Sequence, residues 1–183
     1  VNAAMYVIGA LAVVAALYVV LRRPVREFVR MRGARVVTCP DNAETVAVSV
    51  DAGLAARTAA AGHERLRIES CTRWPEKAGC GQECLKQIEA QPDDCLVRTQ
   101  VARWYADKTC ALCGKPLGGL EWAEHKPALM APDGVTMEWR EVKPESMYGV
   151  FASHAPVCWD CHIAETFRRK RPDLVLDNPH AGH

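Results

Sequence analysis

Two pairs of cysteines, each with a two-residue spacer, constrain this chain more than any other feature. They are Cys110 with Cys113 and Cys158 with Cys161, and residues 114–157, a stretch of 44, separate the pairs. A two-residue spacer lets both sulfurs of a pair turn toward one point, and two such pairs supply the four thiolates of a closed tetrahedral zinc site. The long interval predicts a small subdomain folded between the pairs.

The chain contains nine cysteines among 183 residues and has a formal net charge of +1. Disulfides explain such a cysteine count in a secreted protein, whereas metal ligation explains it in a reducing compartment. The near-neutral charge gives no global argument for nucleic-acid binding. Because no nucleotide loop, dinucleotide fingerprint or Ser/His/Asp constellation is present, we predict neither an enzyme nor a small-molecule substrate.

The N-terminal segment predicts a transmembrane helix over residues 1–21. Residues 3–21 are apolar and uncharged, and Tyr6 and Tyr18 lie near the two ends, where aromatic belts form. Nineteen residues in a helix span about 29 Å, close to the thickness of a bilayer core. A signal peptide is the alternative, but no basic region precedes the apolar stretch and no small-residue cleavage site follows it.

A basic juxtamembrane segment is predicted over residues 22–35, where six arginines face the single acid Glu27. The positive-inside rule then predicts a single-pass protein of the inner (cytoplasmic) membrane with a cytoplasmic C-terminal domain. An amphipathic helix on anionic lipid is compatible with this topology. Cytoplasmic thiols are reduced, which favours metal ligation. The arginines expected to meet lipid head groups are Arg22, Arg23, Arg26 and Arg30.

Residues 36–108 are predicted to form a β-hairpin and a cysteine-rich helical region. Alternating valines around a Pro-Asp-Asn turn indicate the hairpin at residues 36–51, and residues 66–68 resemble a strand that could pair beside 36–38. A helix is expected from about Gln82. A second helix carries apolar residues at helical spacing, which indicates a core-facing stripe: Leu96, Val97, Val101, Trp104 and Tyr105.

This region also suggests a second metal site. Cys71, Cys80 and Cys84 surround a Trp-Pro loop that has no obvious core of its own. Cys39 is the favoured fourth ligand because it precedes a proline at a hairpin end, and Cys95 is the alternative. Four thiolates accept either zinc or an iron–sulfur cluster. The plain alternative is that these are ordinary buried thiols.

The run Cys-Ala-Leu-Cys-Gly-Lys-Pro from Cys110 resembles the zinc knuckle of treble-clef zinc fingers. The resemblance covers roughly residues 109–170, which predicts a zinc module over residues 109–171 and a polar tail over residues 172–183. It implies that the first pair lies on a tight hairpin turn and the second pair at the start of a helix. It also implies that Cys110, Cys113, Cys158 and Cys161 hold one structural zinc.

Two alternatives use histidines near these cysteines. The sequence Cys-Trp-Asp-Cys-His from Cys158 to His162 fits c-type haem attachment, with His162 as the iron ligand. Residues 124–127, around His125, loosely resemble the active site of HNH-type nucleases, which also carry paired knuckles. His154 lies in the same interval and has no assigned role.

Together these features predict an α+β protein with an N-terminal transmembrane helix, a β-hairpin, short helices and a treble-clef module. The function that they favour is a zinc-binding accessory or assembly subunit of a larger, bacterial-type membrane protein complex, with the metal in a structural role. The alternative is an electron-transfer subunit that carries an iron–sulfur cluster or haem c.

Overall fold

The computed structural model describes residues 3–63, 65–120, 122 and 126–174. Helices and two small sheets are mixed along the chain, which confirms the predicted α+β class. The chain divides into two compact units, residues 1–99 and 100–183. The helices and strands are α1 Ala3–Met31, β1 Ala34–Thr38, β2 Thr45–Val50, α2 Ala52–Ala60, β3 Ile68–Cys71, α3 Leu85–Ala90, α4 Val97–Tyr105, β4 Ala128–Met130, β5 Thr136–Glu138, α5 Met147–Ser153, β6 Ala155–Val157 and α6 Trp159–Lys170.

Helix α1 continues well past the predicted end of the apolar segment. It passes through Pro24 and ends at Met31, so most of the basic segment is helical. The stretch Met5–Met31 is long and apolar enough to cross a membrane, a test that a signal sequence also passes. Large apolar side chains of this helix are exposed, among them Ile8 at 66 % and Leu11 at 64 %. Their exposure rules out a buried core helix of this unit.

The first sheet contains the predicted hairpin and holds the core of the N-terminal unit. Strands β1 and β2 pair antiparallel, from Ala34 opposite Ser49 to Thr38 opposite Thr45. Strand β3 pairs with β2, so the expectation that it lies beside β1 is wrong. The strand order β1-β2-β3 buries one apolar cluster against α3: Val37, Val46, Val48, Val50, Ile68, Cys84 and Ile88.

The buried Arg35 joins the end of α1 to this sheet. Its side chain is 0 % exposed. The guanidinium donates to the carbonyl oxygens of Met31 at 2.6 Å and Arg30 at 2.5 Å, which are otherwise unpaired at a helix C-terminus. Gly33, in the connection, has φ +112°, and a Cβ there would lie 3.2 Å from Leu96 Cδ1. A cation at this helix end also opposes the helix dipole favourably.

Asp51 starts helix α2. Its carboxylate accepts the backbone N–H of Leu54 at 2.8 Å and pairs with Arg67 at 2.6 Å. These contacts, the Leu54 amide first, hold the pKa of Asp51 below its ordinary value. The cap explains why the alanine-rich stretch after β2 becomes helical, because it satisfies an amide that the first turn leaves unpaired.

The second sheet, in the order β5-β4-β6, holds the core of the C-terminal unit. Tyr105 of α4 is fully buried, donates its hydroxyl to the carbonyl of Ala128 in β4 and accepts the indole N–H of Trp139 at 3.0 Å. Trp104 stacks on Phe151 with ring centroids 5.2 Å apart. The predicted stripe on this helix therefore includes core residues, since Leu96, Val101 and Tyr105 are buried.

Candidate metal centre

The first cysteine pair lies on a tight turn that hydrogen bonds close on both sides. The N–H of Gly114 donates to the carbonyl of Cys110 at 2.9 Å, and the N–H of Cys110 donates to the carbonyl of Lys115 at 2.8 Å. Gly114 has φ +71°, a conformation that glycine adopts without steric cost. The turn places the sulfurs of Cys110 and Cys113 on one side of the loop.

The second pair lies at the start of α6. Cys158 is the residue before the helix, in an extended conformation, and Cys161 is in its first turn. Strand β6 delivers the chain to this point, and the N–H of Ala111 donates to the carbonyl of Pro156 in β6 at 2.9 Å. The Cys158 N–H in turn donates to Cys110 Sγ at 3.3 Å. The turn and the helix start are therefore held together by direct contacts.

All four sulfurs meet at one point. The Sγ atoms of Cys110, Cys113, Cys158 and Cys161 lie within 4.8 Å of one another, and those of Cys113 and Cys158 are 3.8 Å apart. Tetrahedral zinc bonds of about 2.3 Å separate thiolate sulfurs by about 3.8 Å. We call this group the first quartet, and its spacing is compatible with a bound metal ion.

The electrostatics of the first quartet also favour a cation. Burial opposes ionisation of Cys110, but N–H donors from Cys158, Cys113 and Leu112 lower its pKa to about 6. Burial and the neighbouring sulfurs raise the pKa of both Cys158 and Cys161. One thiolate therefore forms readily, whereas further thiolates repel each other unless a positive ion joins them. Zn²⁺ supplies such a charge.

His162, which follows Cys161 in α6, is buried. Its side chain is only 6 % exposed, and its ring centroid lies 5.3 Å from that of Trp159. Its Nδ1 has no hydrogen-bond partner among the described residues, and burial lowers its pKa. His154 ends α5 with its ring beside Ser153 Oγ at 2.8 Å. His125 lies outside the described residues.

The other predicted ligands line a single cleft in the N-terminal unit. Cys39, Cys71, Cys80 and Cys84 all contribute to its wall, and the cleft has a volume of about 500 Å³. In the part of the chain that the structure describes, only the first quartet has ligand atoms all within 4.8 Å of one another. The sulfurs of this second quartet are therefore spread more widely. Cys95 lies elsewhere and donates its thiol to the carbonyl of Gln87 at 3.7 Å.

Two further residues of this cleft were not predicted as site residues from the sequence. Arg73 donates from Nη1 to Cys39 Sγ at 3.0 Å. Trp74 lines the cleft, and its indole N–H is buried without an acceptor among the described residues. Both residues lie in the loop that follows Cys71, and this proximity in sequence was the only available signal. No protein family, curated protein or solved structure matches the chain.

Proposed function

We propose that this chain is a membrane-anchored, zinc-binding accessory or assembly subunit of a larger membrane protein complex. The convergence of the first quartet is the observation that carries the proposal. In it, a treble-clef module built by the Cys110 turn, β6 and α6 holds one structural zinc.

The sulfur spacing of the first quartet favours one zinc ion over an iron–sulfur cluster. A cubane cluster binds each cysteine sulfur to a different iron atom and so holds these sulfurs farther apart than one zinc ion does, whereas the Sγ atoms of Cys113 and Cys158 are only 3.8 Å apart. Four thiolates also fill a tetrahedral coordination sphere and leave no position for substrate, which argues for a structural rather than a catalytic metal. Haem attachment would require Cys158 and Cys161 to leave this arrangement.

The N-terminal helix supports the anchor. Its large apolar side chains are exposed from Met5 to Val29, and none of the most apolar part is covered by the rest of the chain. Such a surface is stable when lipid or another apolar helix surrounds it. Arg22, Arg23 and Arg26 are exposed at the following turns, and Arg30 pairs with Glu27 at 3.7 Å. These positions fit contact with head groups on the cytoplasmic side.

The proposed accessory role rests on two features together, the N-terminal membrane anchor and the structural zinc site. A metal-closed module of this size gives a rigid surface at low chain length, and an anchor confines that surface to the membrane. Neither feature implies catalysis. The larger complex is expected to supply any chemistry.

Metal analysis of the detergent-purified full chain tests the zinc assignment. We expect zinc bound to the first quartet, and we expect Cys113→Ser to lose that zinc while Cys95→Ser retains it. Equal zinc content in wild type and Cys113→Ser would contradict the assignment. A Soret band that Cys161→Ser abolishes would instead support haem.

Topology is tested separately, by a reporter fused after residue 183 in bacterial cells. A cytoplasmic reporter signal is expected from the arginine flank. An exported reporter would overturn the cytoplasmic placement and would make disulfides or haem attachment chemically accessible.

A further inference from the structure

The four cysteines of the second quartet line one cleft. Cys39 lies at the end of the first hairpin, Cys71 at the end of β3, Cys80 in the following loop and Cys84 immediately before α3. Four separate local structures thus direct cysteines to one cleft.

The Cys39 turn repeats the hydrogen-bond pattern of the first quartet. The N–H groups of Asp41 and Asn42, two and three residues on, donate to the Cys39 sulfur, and Arg73 donates to it from Nη1 at 3.0 Å. In the first quartet, Leu112 and Cys113 stand in the same two relations to Cys110. Amide donors at these positions offer hydrogen bonds to a ligand sulfur. The Cys39 turn therefore shares its N–H···S arrangement with the turn of the first quartet.

Two features favour an iron–sulfur cluster over a single zinc ion in this cleft: the wide spacing of the four sulfurs and the unpaired indole N–H of Trp74. One zinc ion would require sulfurs about 3.8 Å apart. Among the described residues, only the first quartet has ligand atoms that all lie within 4.8 Å of one another, so the sulfurs of the second quartet are spaced more widely. A four-iron cluster binds each cysteine sulfur to a different iron atom, which holds these sulfurs farther apart than one metal ion does, and it brings sulfide atoms that accept hydrogen bonds. The buried, unpartnered indole N–H of Trp74 lies in the wall of this cleft.

We infer that Cys39, Cys71, Cys80 and Cys84 ligate an iron–sulfur cluster, with Arg73 and Trp74 as hydrogen-bond donors to its sulfur atoms. The site is independent of the proposed zinc staple, because it uses other residues in the other compact unit. It gives the chain a redox-capable group beside its structural metal.

Anaerobic reconstitution of the full chain with equal amounts of ferrous and ferric iron and with sulfide tests this inference. We expect iron and acid-labile sulfide in equal amounts, with broad visible absorption that dithionite bleaches. Cys71→Ser and Cys80→Ser should lose nearly all of this absorption. The matched controls are Cys95→Ser, which changes a thiol outside the cleft, and Cys113→Ser, which changes the first quartet. Both should retain the iron.

Several results would overturn the inference. They are zinc in place of iron in the cleft after reconstitution, iron that survives Cys71→Ser, and iron that Cys113→Ser removes. The last would place the cluster in the first quartet and would contradict the zinc staple as well, so the two failures are distinguishable.

Trp74→Phe keeps all four thiolates and covers the case in which a serine variant does not fold. We expect it to retain iron and to shift the reduction potential, because hydrogen bonds to cluster sulfur tune that potential. An unchanged potential would contradict the placement of the cluster against Trp74.

Discussion

Each quartet consists of four cysteines, but the two quartets are assembled in different ways. In the first, each pair has a two-residue spacer, and one turn and one helix start bring the sulfurs within 4.8 Å. In the second, four local structures contribute one cysteine each to a cleft of about 500 Å³. The first geometry is mostly local, whereas the second depends on the packing of β1, β2, β3 and α3.

This difference teaches how each unit depends on metal. The second quartet lies beside a cluster of buried apolar side chains that pack on one another, from Val37 to Ile88. The Cys110 turn has little such support, since Ala111, Leu112 and Cys113 are exposed. We therefore expect metal to be required for the fold around the first quartet and to be an addition to an existing fold around the second.

The largest effect is expected from Cys161→Ser. Loss of one thiolate should release zinc and unfold the region around the Cys110 turn and α6, because binding free energy in such small sites is largely folding free energy, of order 10 kcal/mol in zinc-finger peptides. Hydrogen exchange should rise there and stay low in β1 and β2. Cys95→Ser is the control, with zinc content unchanged. Protection of α6 that persists without zinc would refute the staple.

Arg35→Met should give the next largest effect, confined to the N-terminal unit. The change removes the donors to the Met31 and Arg30 carbonyls, and we expect a loss of about 2–3 kcal/mol in unfolding free energy. Zinc content should not change, which separates this unit from the metal-dependent one. Arg35→Lys tests the fork geometry and should recover only part of the loss. A variant with wild-type stability would show that the buried guanidinium contributes nothing.

His162→Ala should have a moderate effect. The ring is buried beside Trp159, so its removal leaves space and should cost about 2 kcal/mol. Zinc binding should survive, because the histidine is not one of the four converging ligands. His162→Gln, which keeps more of the volume, should cost less. If His162→Ala abolished a haem spectrum, the zinc assignment of Cys158 and Cys161 would fail.

The smallest effect is expected from Asp51→Ala, which touches neither quartet. Because the folded pKa of Asp51 is lowered, its contribution is present above the unfolded value of about 4 and is lost as pH falls through the folded pKa. Urea midpoints of wild type and variant should differ slightly at neutral pH and converge in acid. Asp51→Asn, which can still cap the helix, is the control. A difference that grows toward acid pH would contradict this explanation.

Sequence patterns predicted those parts of the molecule whose geometry is local. The hairpin followed from alternating valines, and the meeting of Cys110 with Cys158 followed from paired short spacers. The partner of β3 was predicted incorrectly, because strand pairing depends on long-range packing that residues 66–68 do not encode alone. Burial of His162 was not predicted, because a single histidine beside a cysteine pair carries no pattern that distinguishes a buried ring from an exposed one.

Arg35 shows a different limit. It was counted with five other arginines in a basic flank, where composition predicts solvent or lipid contact. Its burial depends on the point at which α1 ends, and α1 ends ten residues later than the apolar stretch, at Met31 rather than residue 21. No periodicity or spacing in the flank distinguishes the one arginine that reaches the terminal carbonyls.

The short connection between α1 and β1 has a mechanical consequence. Only Arg32 and Gly33 separate the two elements, and the Arg35 side chain fastens the sheet to the last helical turn. The first sheet is thus attached rigidly to the helix and has no flexible linker. If α1 spans a bilayer, the sheet is held close to the membrane surface. Rotation of α1 about its axis would then rotate the sheet with it, so the orientation of the helix would fix the direction from which a partner protein can reach the sheet.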